Sequence, residues 1–471
     1  MAGSKTYNAS TQVLLLSVVF FCCPGLFNAL SSIASGLQDA TVAFRGNVLV
    51  YGFFTVSSVV AAALLPTLAA RRSLVLGTLG YVVYALALWN LTTSHSPDTA
   101  AALFYTGSGV LGISAGFLWT AQGQMIMSYA TPQNQGRYIS TFWIIFNLGA
   151  TSGGLLTCIL NWKRDGDDAA MRGNASHATF AAFAVAMTLG SVLAMTRIAS
   201  LDDVVKADGS RVVVVAEPAD SLEAAEGSSS ASTWKDDARA LFAYATSSRD
   251  VLCLLPFFVY SNWFYTYHAF FNVSLFNTRT SGLASAFYWM AQMVGALALG
   301  RWLDHPGSSP TRTARNTLVM LAVLWNAMWA VGWVVQTSKH LSYASPLGMD
   351  VVDDTKSMIG PLVLYTIYGA GDAVGQVWIY WYLSCVCANG REPRIAGFNA
   401  GIYKAVQSLS AAFAWWIGSQ EVVPVGQLWV NWALCNAAVV GAALSLFRKS
   451  DKQDEVELPD NGKYVPVSTP Q

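Results

Sequence analysis

Charged residues are scarce in this sequence and make up only 11% of its 471 positions. Because soluble domains carry about 25% charged residues, this scarcity excludes an ordinary soluble domain. The two signs also balance, with 27 Lys and Arg residues against 27 Asp and Glu residues. A chain without excess positive charge lacks the electrostatic signature of nucleic-acid binding, and we expect no nucleic-acid partner.

The patterns that hold disulfide frameworks, metals or phosphates are also missing. All seven cysteines lie in or beside apolar runs, and Cys385 and Cys387 do not form a CxxC pair. These cysteines are best interpreted as small buried apolar residues. The sequence contains neither HExxH nor GxxxxGK[ST], so nothing indicates a metalloprotease or an ATP-driven pump. We therefore predict that the protein is not an enzyme and uses no cofactor and no metal.

Long apolar runs, by contrast, are abundant, and hydrophobic residues make up 54% of the chain. Runs of about twenty residues, the length that crosses a bilayer as a helix, recur along the whole sequence. They are continuous rather than alternating, which argues against the strands of a membrane barrel. We predict an all-α integral membrane protein with twelve transmembrane helices. The predicted spans lie near residues 12–36, 46–70, 73–93, 100–128, 138–161, 177–198, 251–276, 281–301, 316–336, 358–387, 395–418 and 426–448.

The spans form two sets of six around a polar stretch. Residues 1–198 make the N-terminal six-helix half, residues 250–449 make the C-terminal six-helix half, and residues 450–471 form a cytoplasmic tail. Residues 199–249 form a cytoplasmic linker that includes the acidic, serine-rich stretch "DSLEAAEGSSSAS", which is flexible by composition. The linker ends in "WKDDARALFAYATSS", where apolar residues repeat at helical spacing and predict a surface helix.

The distribution of Lys and Arg predicts which side of the membrane each loop faces. The short segments on the side of the two termini hold more Lys and Arg than the opposite loops, which places both termini in the cytoplasm. Asn174 then lies in an outer loop within the sequon "NAS", and we predict a glycoprotein modified there. The plasma membrane and the vacuolar or endosomal membrane both stay open as locations.

Two sets of six helices around a central loop are typical of secondary transporters of the major facilitator type, whose binding sites lie near the midplane between the halves. The predicted pseudo-symmetric halves share a short match, "TAQGQ" in span four and "DAVGQ" in span ten. Each match is followed by a loop arginine, Arg137 or Arg394, and ten residues later by a polar residue, Asn147 or Lys404. The match falls where an internal repeat predicts it.

An aspartate, Asp372, stands in the stretch "YGAGDAVGQVWIYWYL" of span ten. A carboxylate at the bilayer centre costs about 2.5–3.5 kcal/mol on insertion scales, so this residue needs a partner. Lys404 lies near the middle of the antiparallel span eleven, and Gln376 and Tyr380 share a helical stripe with Asp372. We predict an Asp372–Lys404 pair that faces the bundle interior. It is either a structural ion pair that fixes helix packing or a site coupled to protons or substrate.

Three further residues are candidates with two interpretations each. His268, in the middle of span seven, is either a proton relay or a side chain that hydrogen-bonds a backbone carbonyl. Trp119 and Gln122 in span four either line a cavity or serve as packing residues between helices.

The loop after span eight contains a candidate gate. It reads "GRWLD", with Gly300 and Asp304 four residues apart, and resembles the G-x-x-x-D element of facilitator inner loops. The matching place after span two reads "PTLAARRS" and lacks both the glycine and the aspartate. We predict a gating latch at Gly300 and Asp304, with a solvated turn as the alternative.

Three stretches resemble the Unc-ninety-three-like family, a divergent branch of the major facilitator superfamily with many fungal members. They read "GFLWTAQGQMIMSYATPQNQGRYISTFW", "YGAGDAVGQVWIYWYL" and "IAGFNAGIYKAVQS". The resemblance covers roughly residues 12–448 and implies the twelve-helix facilitator fold. The family-pattern positions to which it points are Trp119, Gln122, Asp372, Gln376, Tyr403 and Lys404.

The resemblance also implies transport, because fungal members are generally taken as transporters. Some animal relatives act instead as trafficking partners or regulators of other membrane proteins. We predict a secondary active transporter that moves a small organic solute by alternating access, with protons as the candidate coupling ion. The alternative is a non-transporting membrane adaptor or regulator of another membrane protein.

The expected partners are an unidentified small-molecule substrate, protons and the lipid bilayer. The candidate substrate-binding or coupling residues are Asp372, Lys404, Gln376, Trp119, Gln122, His268, Tyr380 and Tyr403.

Overall fold

The chain is described here by a computed structural model. The described residues are 6–34, 40–160, 162, 177–212, 233–306, 309–384, 393–420 and 422–457. Three residues discussed above, Asn174, Cys385 and Cys387, lie outside these ranges.

In its described ranges, the first half of the chain contains seven α-helices. They are α1 (Ala9–Phe20), α2 (Leu26–Ala34), α3 (Ala40–Leu68), α4 (Ala70–Thr93), α5 (Pro97–Tyr129), α6 (Gln135–Leu160) and α7 (His177–Arg197). Two short parallel strands, β1 (Tyr7–Asn8) and β2 (Val204–Val205), join the start of this half to the segment that follows α7. The first and last helices of the half therefore meet on one side of the bundle, which we call the terminal side.

The second half is also helical and follows α8 (Trp234–Ser247), an α-helix of the linker. Its helices are α9 (Arg249–Trp263), α10 (Tyr265–Leu275), α11 (Thr278–Leu303), α12 (Pro310–Ser338), α13 (Thr355–Tyr382), α14 (Pro393–Gly418) and α15 (Pro424–Glu457). In its described residues, each predicted span is occupied by one helix or by two consecutive helices. Within the described ranges, nine helical stretches are long and apolar enough to cross a membrane.

Spans one and seven, which hold the first position in each half, are both interrupted. A π-helical turn, Phe21–Gly25, separates α1 from α2 and contains Pro24, whose missing N–H breaks the regular hydrogen-bond ladder. In span seven, α9 ends at Trp263 and α10 begins at Tyr265. Helices interrupted at corresponding places in two halves are a marker of binding sites in transporter folds.

Small residues hold the two halves close together along α6 and α11. The backbones of Gly136 and Gly300 approach so closely that a Cβ on Gly136 would lie 2.4 Å from the Gly300 carbonyl oxygen. At the other end of the same helix pair, a Cβ on Gly282 would lie 2.7 Å from the Cys158 nitrogen. Such small residues allow helix backbones to pack by direct contact in a membrane, so these two helices form one long seam between the halves.

The second seam between the halves runs along α3 and α14. A Cβ on Gly401 would lie 2.3 Å from the Ala62 side chain. The linker helix α8 crosses the end of this seam, where its buried Leu241 packs in one cluster with Ala62, Ala63 and Phe398. The linker helix therefore touches both halves at once.

Large apolar side chains cover the outer faces of the helices. Val294, Val323 and Phe447 are exposed by 68%, 66% and 66%, respectively. Contiguous exposed apolar surface is unfavourable in water and is the surface that lipid tails cover. With the helix lengths, it identifies an integral, multi-pass membrane protein.

Candidate functional site

Asp372 lies in α13 with only 3% of its surface exposed, yet both carboxylate oxygens have donors. Its Oδ2 accepts hydrogen bonds from the Tyr265 hydroxyl (2.8 Å), the Tyr288 hydroxyl (3.1 Å) and Gln292 Nε2 (2.8 Å). Its Oδ1 accepts a longer bond from Gln376 Nε2 at 3.4 Å. The donors come from α10, α11 and α13, so three helices of the second half satisfy this carboxylate without a cation.

Lys404 in α14 is also buried, at 3% exposure, and has different surroundings. Its Nζ donates to Gln407 Oε1 at 2.8 Å. Three aromatic rings surround the ammonium group: its Nζ lies 4.5 Å from the ring centroid of Trp119, 4.9 Å from that of Tyr403 and 5.3 Å from that of Tyr380. Cation–π attraction of this kind stabilises a desolvated ammonium group. The Trp119 ring belongs to the first half, so Lys404 sits where the halves meet.

The direct Asp372–Lys404 ion pair that the sequence predicts is not formed among the residues that the structure describes. The two charged groups are joined instead through amides. Gln376 donates to Asp372, while its Oε1 accepts hydrogen bonds from the Tyr403 hydroxyl (2.6 Å) and from Gln407 Nε2 (3.2 Å). The predicted direct contact was wrong because tyrosine and glutamine donors on neighbouring helices already occupy the carboxylate. The two buried charges still attract each other at longer range.

His268 in α10 extends this network. Its Nδ1 lies 3.2 Å from the Tyr288 hydroxyl, and its ring stacks on Tyr368 with centroids 4.4 Å apart. Since the Tyr288 hydroxyl donates its proton to Asp372, His268 Nδ1 must be the donor to Tyr288, which leaves Nε2 as an acceptor. The observed partner is a hydroxyl group, not the backbone carbonyl of the alternative interpretation. His268, Tyr288 and Asp372 thus form a continuous hydrogen-bonded row.

The two span-four candidates also contact the second half. The Tyr380 hydroxyl donates to Gln122 Oε1 at 3.2 Å. The Trp119 ring meets Lys404 on one side and packs edge-on against Phe20 of α1, with centroids 4.8 Å apart. The structure therefore brings all eight candidate substrate-binding or coupling residues into one connected network between the halves.

Four residues of this network were missed from the sequence: Tyr265, Tyr288, Gln292 and Gln407. Tyrosines in apolar spans look like ordinary membrane aromatics, so Tyr265 and Tyr288 gave no signal. Gln407 lies three residues after Lys404 on the same helix face, and this spacing could have identified it. Gln292 also accepts a hydrogen bond from Asn147 Nδ2 of the first half at 3.1 Å.

A gap too narrow to hold a water molecule lies beside Asp372. It is lined in part by Ser261 and Phe264 at the interruption of span seven, and by Gly371 and Gln376 of α13. The helix interruption therefore faces the buried carboxylate.

Asp304 joins the two halves on the terminal side. It directly follows α11, and its carboxylate accepts hydrogen bonds from the backbone N–H groups of Gly136 (2.7 Å) and Arg137 (2.6 Å), at the start of α6. A carboxylate is stabilised at this positive end of a helix. Burial raises the pKa of Asp304, although these two N–H donors act in the opposite direction. The loop is therefore a contact between the halves and not a solvated turn, with Gly300 providing the close approach to Gly136.

A second link between the halves lies on the opposite side, at the start of α11. Arg279 Nη2 donates to Asp350 Oδ1 at 2.6 Å, and Arg279 Nη1 donates to the backbone carbonyl of Trp162 in the first half at 2.8 Å. Burial acts to raise the pKa of Asp350, but hydrogen bonds from Arg279, the Val352 backbone N–H and Asn277, with the positive charge of Arg279, hold the pKa below its usual range. Helix α11 thus carries an inter-half contact at each end.

Twelve spans in two halves, with a buried polar network between them, define the major facilitator class of membrane proteins. Solved structures agree. The proton:xylose symporter XylE, bound to 6-bromo-6-deoxy-D-glucose, aligns with a TM-score of 0.60 at 13% identity, covering 94% of this chain and 96% of that one. FucP in its outward conformation aligns with a TM-score of 0.60 at 12% identity, covering 93% and 98%. At such identities the likeness shows the fold alone, and it confirms the predicted fold class.

The sequence relatives are more specific. The family model described as "Ion channel regulatory protein UNC-93" matches residues 39–439. UNC93-like protein 1 of Arabidopsis thaliana is 34% identical over 450 residues, which cover 94% of this chain and 92% of that protein. An UNC93-like protein of Schizosaccharomyces pombe is 31% identical over 466 residues, covering 97% and 87%. The chain belongs to the UNC-93 family, which confirms the resemblance noted in the sequence.

Proposed function

We propose that this protein is a secondary active transporter that moves a small organic solute by alternating access. The observation that carries the proposal is the buried network that joins Asp372 to Lys404 within the second half and reaches the first half at Trp119. Ionisable groups inside a membrane bundle are costly to bury and mark substrate or ion pathways. A scaffold that only needed to pack would be more stable with apolar residues at these positions.

Protons are the proposed coupling ion. The row His268–Tyr288–Asp372 connects a titratable ring to a carboxylate, as a proton relay requires. Protonation of Asp372 would weaken its hydrogen bonds to Tyr265 and Tyr288, which lie on α10 and α11. Because α10 starts at the interruption of span seven, releasing it would bias the balance between two bundle conformations.

Two contacts are proposed to act as gates. On the terminal side, Asp304 and Gly300 hold the ends of α11 and α6 together. On the opposite side, Arg279 connects Asp350 to Trp162. Alternating access requires that one link opens while the other stays closed, and that the two links then exchange these states.

The location and orientation predicted from the sequence remain part of the proposal. Both termini face the cytoplasm, Asn174 is glycosylated, and the membrane is the plasma membrane or the vacuolar or endosomal membrane. A glycosidase-sensitive shift on a gel, lost in Asn174→Gln, would support the orientation. A shift that persists in Asn174→Gln would contradict modification at this position.

The deciding experiment profiles small molecules inside and outside cells. Four strains are compared at equal protein level: the deletion strain, the wild type, Asp372→Asn, and Asp353→Asn as a control in an exposed loop. We expect one or more compounds to shift between cells and medium on deletion. Asp372→Asn should reproduce that shift, because it removes the carboxylate charge that the network is built around, and Asp353→Asn should restore the wild-type profile.

No shift on deletion under several growth conditions would contradict transport. Full restoration by Asp372→Asn would contradict the coupling role of Asp372 and favour a structural role for the network.

A membrane adaptor or regulator is the second candidate function. Two observations favour it: the family is described as an ion channel regulatory protein, and the first-half element "PTLAARRS" lacks the glycine and aspartate of the second-half latch. An adaptor should tolerate Asp372→Asn and fail when its outer surface or loops change. A transporter should respond in the opposite way.

A further inference from the structure

The two buried charges of the network differ in how they are compensated. Asp372 accepts hydrogen bonds from four side chains. A carboxylate has about four acceptor sites, so these donors occupy most of them. Lys404 has three N–H donors, and among the described residues only one of them has a polar acceptor, Gln407 Oε1. In the described part of the chain, no carboxylate lies within ion-pair distance of its Nζ.

Lys404 is therefore a buried cation without a carboxylate in direct contact: three ring faces surround it, and Asp372 attracts it only from beyond ion-pair distance. Cation–π contacts are weaker than the direct hydrogen-bonded contact with a carboxylate that a buried ammonium group needs to offset its desolvation. An anion arriving at the rings would relieve this imbalance. The same rings, those of Trp119, Tyr380 and Tyr403, would remain beside the anion as flat apolar surfaces.

Two buried hydroxyl groups on the helices that carry Lys404 and Trp119 have unused hydrogen-bond capacity. Ser408 lies one helical turn beyond Lys404 in α14, and Thr120 directly follows Trp119 in α5. Ser408 and Thr120 are both 0% exposed, and among the described residues neither Ser408 Oγ nor Thr120 Oγ1 has a hydrogen-bond partner. Buried hydroxyls are normally satisfied, so these two are available to donate to the oxygens of an anion.

We propose that Lys404 binds the carboxylate of an organic acid, and that the flat apolar body of this acid packs against Trp119, Tyr380 and Tyr403. Ser408 and Thr120 donate to the carboxylate oxygens. This inference rests on the proposed transport function and specifies its substrate class. A single ammonium group matches a monocarboxylate, whereas a cationic substrate would be repelled by Lys404 and would find Asp372 already hydrogen-bonded.

The test measures binding to the purified full-length protein in detergent at fixed ionic strength, by the shift of its unfolding midpoint. The probes are benzoate, phenylacetate and indole-3-acetate, each compared with its own neutral amide, with chloride as the background anion. We expect at least one acid to raise the midpoint in a saturable way and its amide to raise it far less. The acid and its amide have the same ring and differ mainly in charge.

The variant arm uses Lys404→Gln, Lys404→Arg and, as a matched control, Lys235→Gln in the exposed part of α8. Because a charge-assisted hydrogen bond to a carboxylate is lost, we expect Lys404→Gln to weaken acid binding by about tenfold or more. Lys404→Arg should retain a preference for the acid over the amide, and Lys235→Gln should bind like the wild type. The comparison of acids with amides on the wild type still decides the question if Lys404→Gln does not fold.

Three results would overturn the proposal: equal binding of acids and amides, no midpoint shift with any of the three acids, or unchanged acid binding in folded Lys404→Gln. The transport function fails separately, when deletion changes no compound between cells and medium. A deletion profile in which only cationic or neutral compounds shift would keep transport and reject the organic-acid class.

Discussion

At the residue scale, the network depends on amides that serve two partners at once. Gln292 donates to Asp372 and accepts from Asn147, and Gln376 links Asp372 to Tyr403. A buried polar group that loses its partner retains a desolvation penalty of about 1–3 kcal/mol. Each of these amides is therefore sensitive to replacement by an apolar residue of similar size.

Gln292→Leu should lower stability by about 1–3 kcal/mol for each group left without a partner. Asn147→Leu should have a smaller effect, because it removes one donor to Gln292 and leaves Asp372 untouched. The double variant should be less destabilised than the sum of the two single variants, because they share the bond that joins the halves. The measurement is a double-mutant cycle on the unfolding midpoint of the detergent-solubilised protein. Strictly additive effects would show that the Asn147–Gln292 bond contributes nothing.

At the element scale, α11 is the helix that joins the halves over its full length. Arg279 near its first residue reaches Trp162, Gln292 in its middle reaches Asn147, and Asp304 just after its last residue reaches Gly136. Because α11 contacts the first half at three depths, we expect it to move as one body with α6 unless the contacts at its ends break. Opening on either side should therefore begin with one of the end contacts.

Asp304→Ala should loosen the terminal side, because the N–H groups of Gly136 and Arg137 lose a charged acceptor that is worth on the order of 1–2 kcal/mol at a helix N-terminus. The reporter is a thiol introduced by Ser140→Cys, at a buried position beside Gly300. Its rate of labelling by a maleimide should rise several-fold in Asp304→Ala.

The control for this experiment is Asp353→Ala, in an exposed loop on the other side. The labelling of the native cysteines is measured in chains without the reporter and subtracted. An unchanged rate at Ser140→Cys in the Asp304→Ala background would mean that this contact does not hold the terminal side closed.

At the scale of the whole molecule, the linker helix α8 couples the two halves from outside. Its buried Asp237 pairs with Arg394 at 2.6 Å, and its Tyr244 hydroxyl donates to Asn399 Oδ1 at 2.8 Å. Both partners belong to α14 of the second half, whereas Leu241 also packs on α3 of the first half. Relative motion of the halves would therefore have to carry α8 along or detach it.

Two adjacent residues of α8 provide a matched pair for a test of this contact. Leu241 is 5% exposed and Phe242 is 72% exposed. Leu241→Ala should lower stability by about 2 kcal/mol, at the lower end of the range for buried leucines, while Phe242→Ala should stay within about 0.5 kcal/mol of the wild type. The measurement is again the unfolding midpoint. Equal effects of the two substitutions would show that α8 does not pack on the bundle as described.

Hydrophobic run length and order were sufficient to predict most of the architecture. A helix needs about twenty apolar residues to cross a bilayer, and every backbone N–H and C=O group inside the bilayer needs a hydrogen-bond partner within the protein. Continuous apolar runs of this length therefore predicted helices. Their arrangement around a polar linker predicted the two halves. The same reasoning found Asp372 and Lys404, because a charge inside an apolar run is conspicuous in any sequence. Gln122 lies in the match between spans four and ten, and Trp119 directly precedes that match.

Only the tertiary structure decided which groups meet. Asp372 and Lys404 lie at similar depth in consecutive spans, and depth alone suggested that they touch. Their separation depends on how α13 and α14 are rotated and on the reach of Tyr265, Tyr288 and Gln292 from other helices, which no periodicity along a single span encodes. The sequence determined that two buried charges exist; packing decided that one is surrounded by hydrogen-bond donors and the other by aromatic rings.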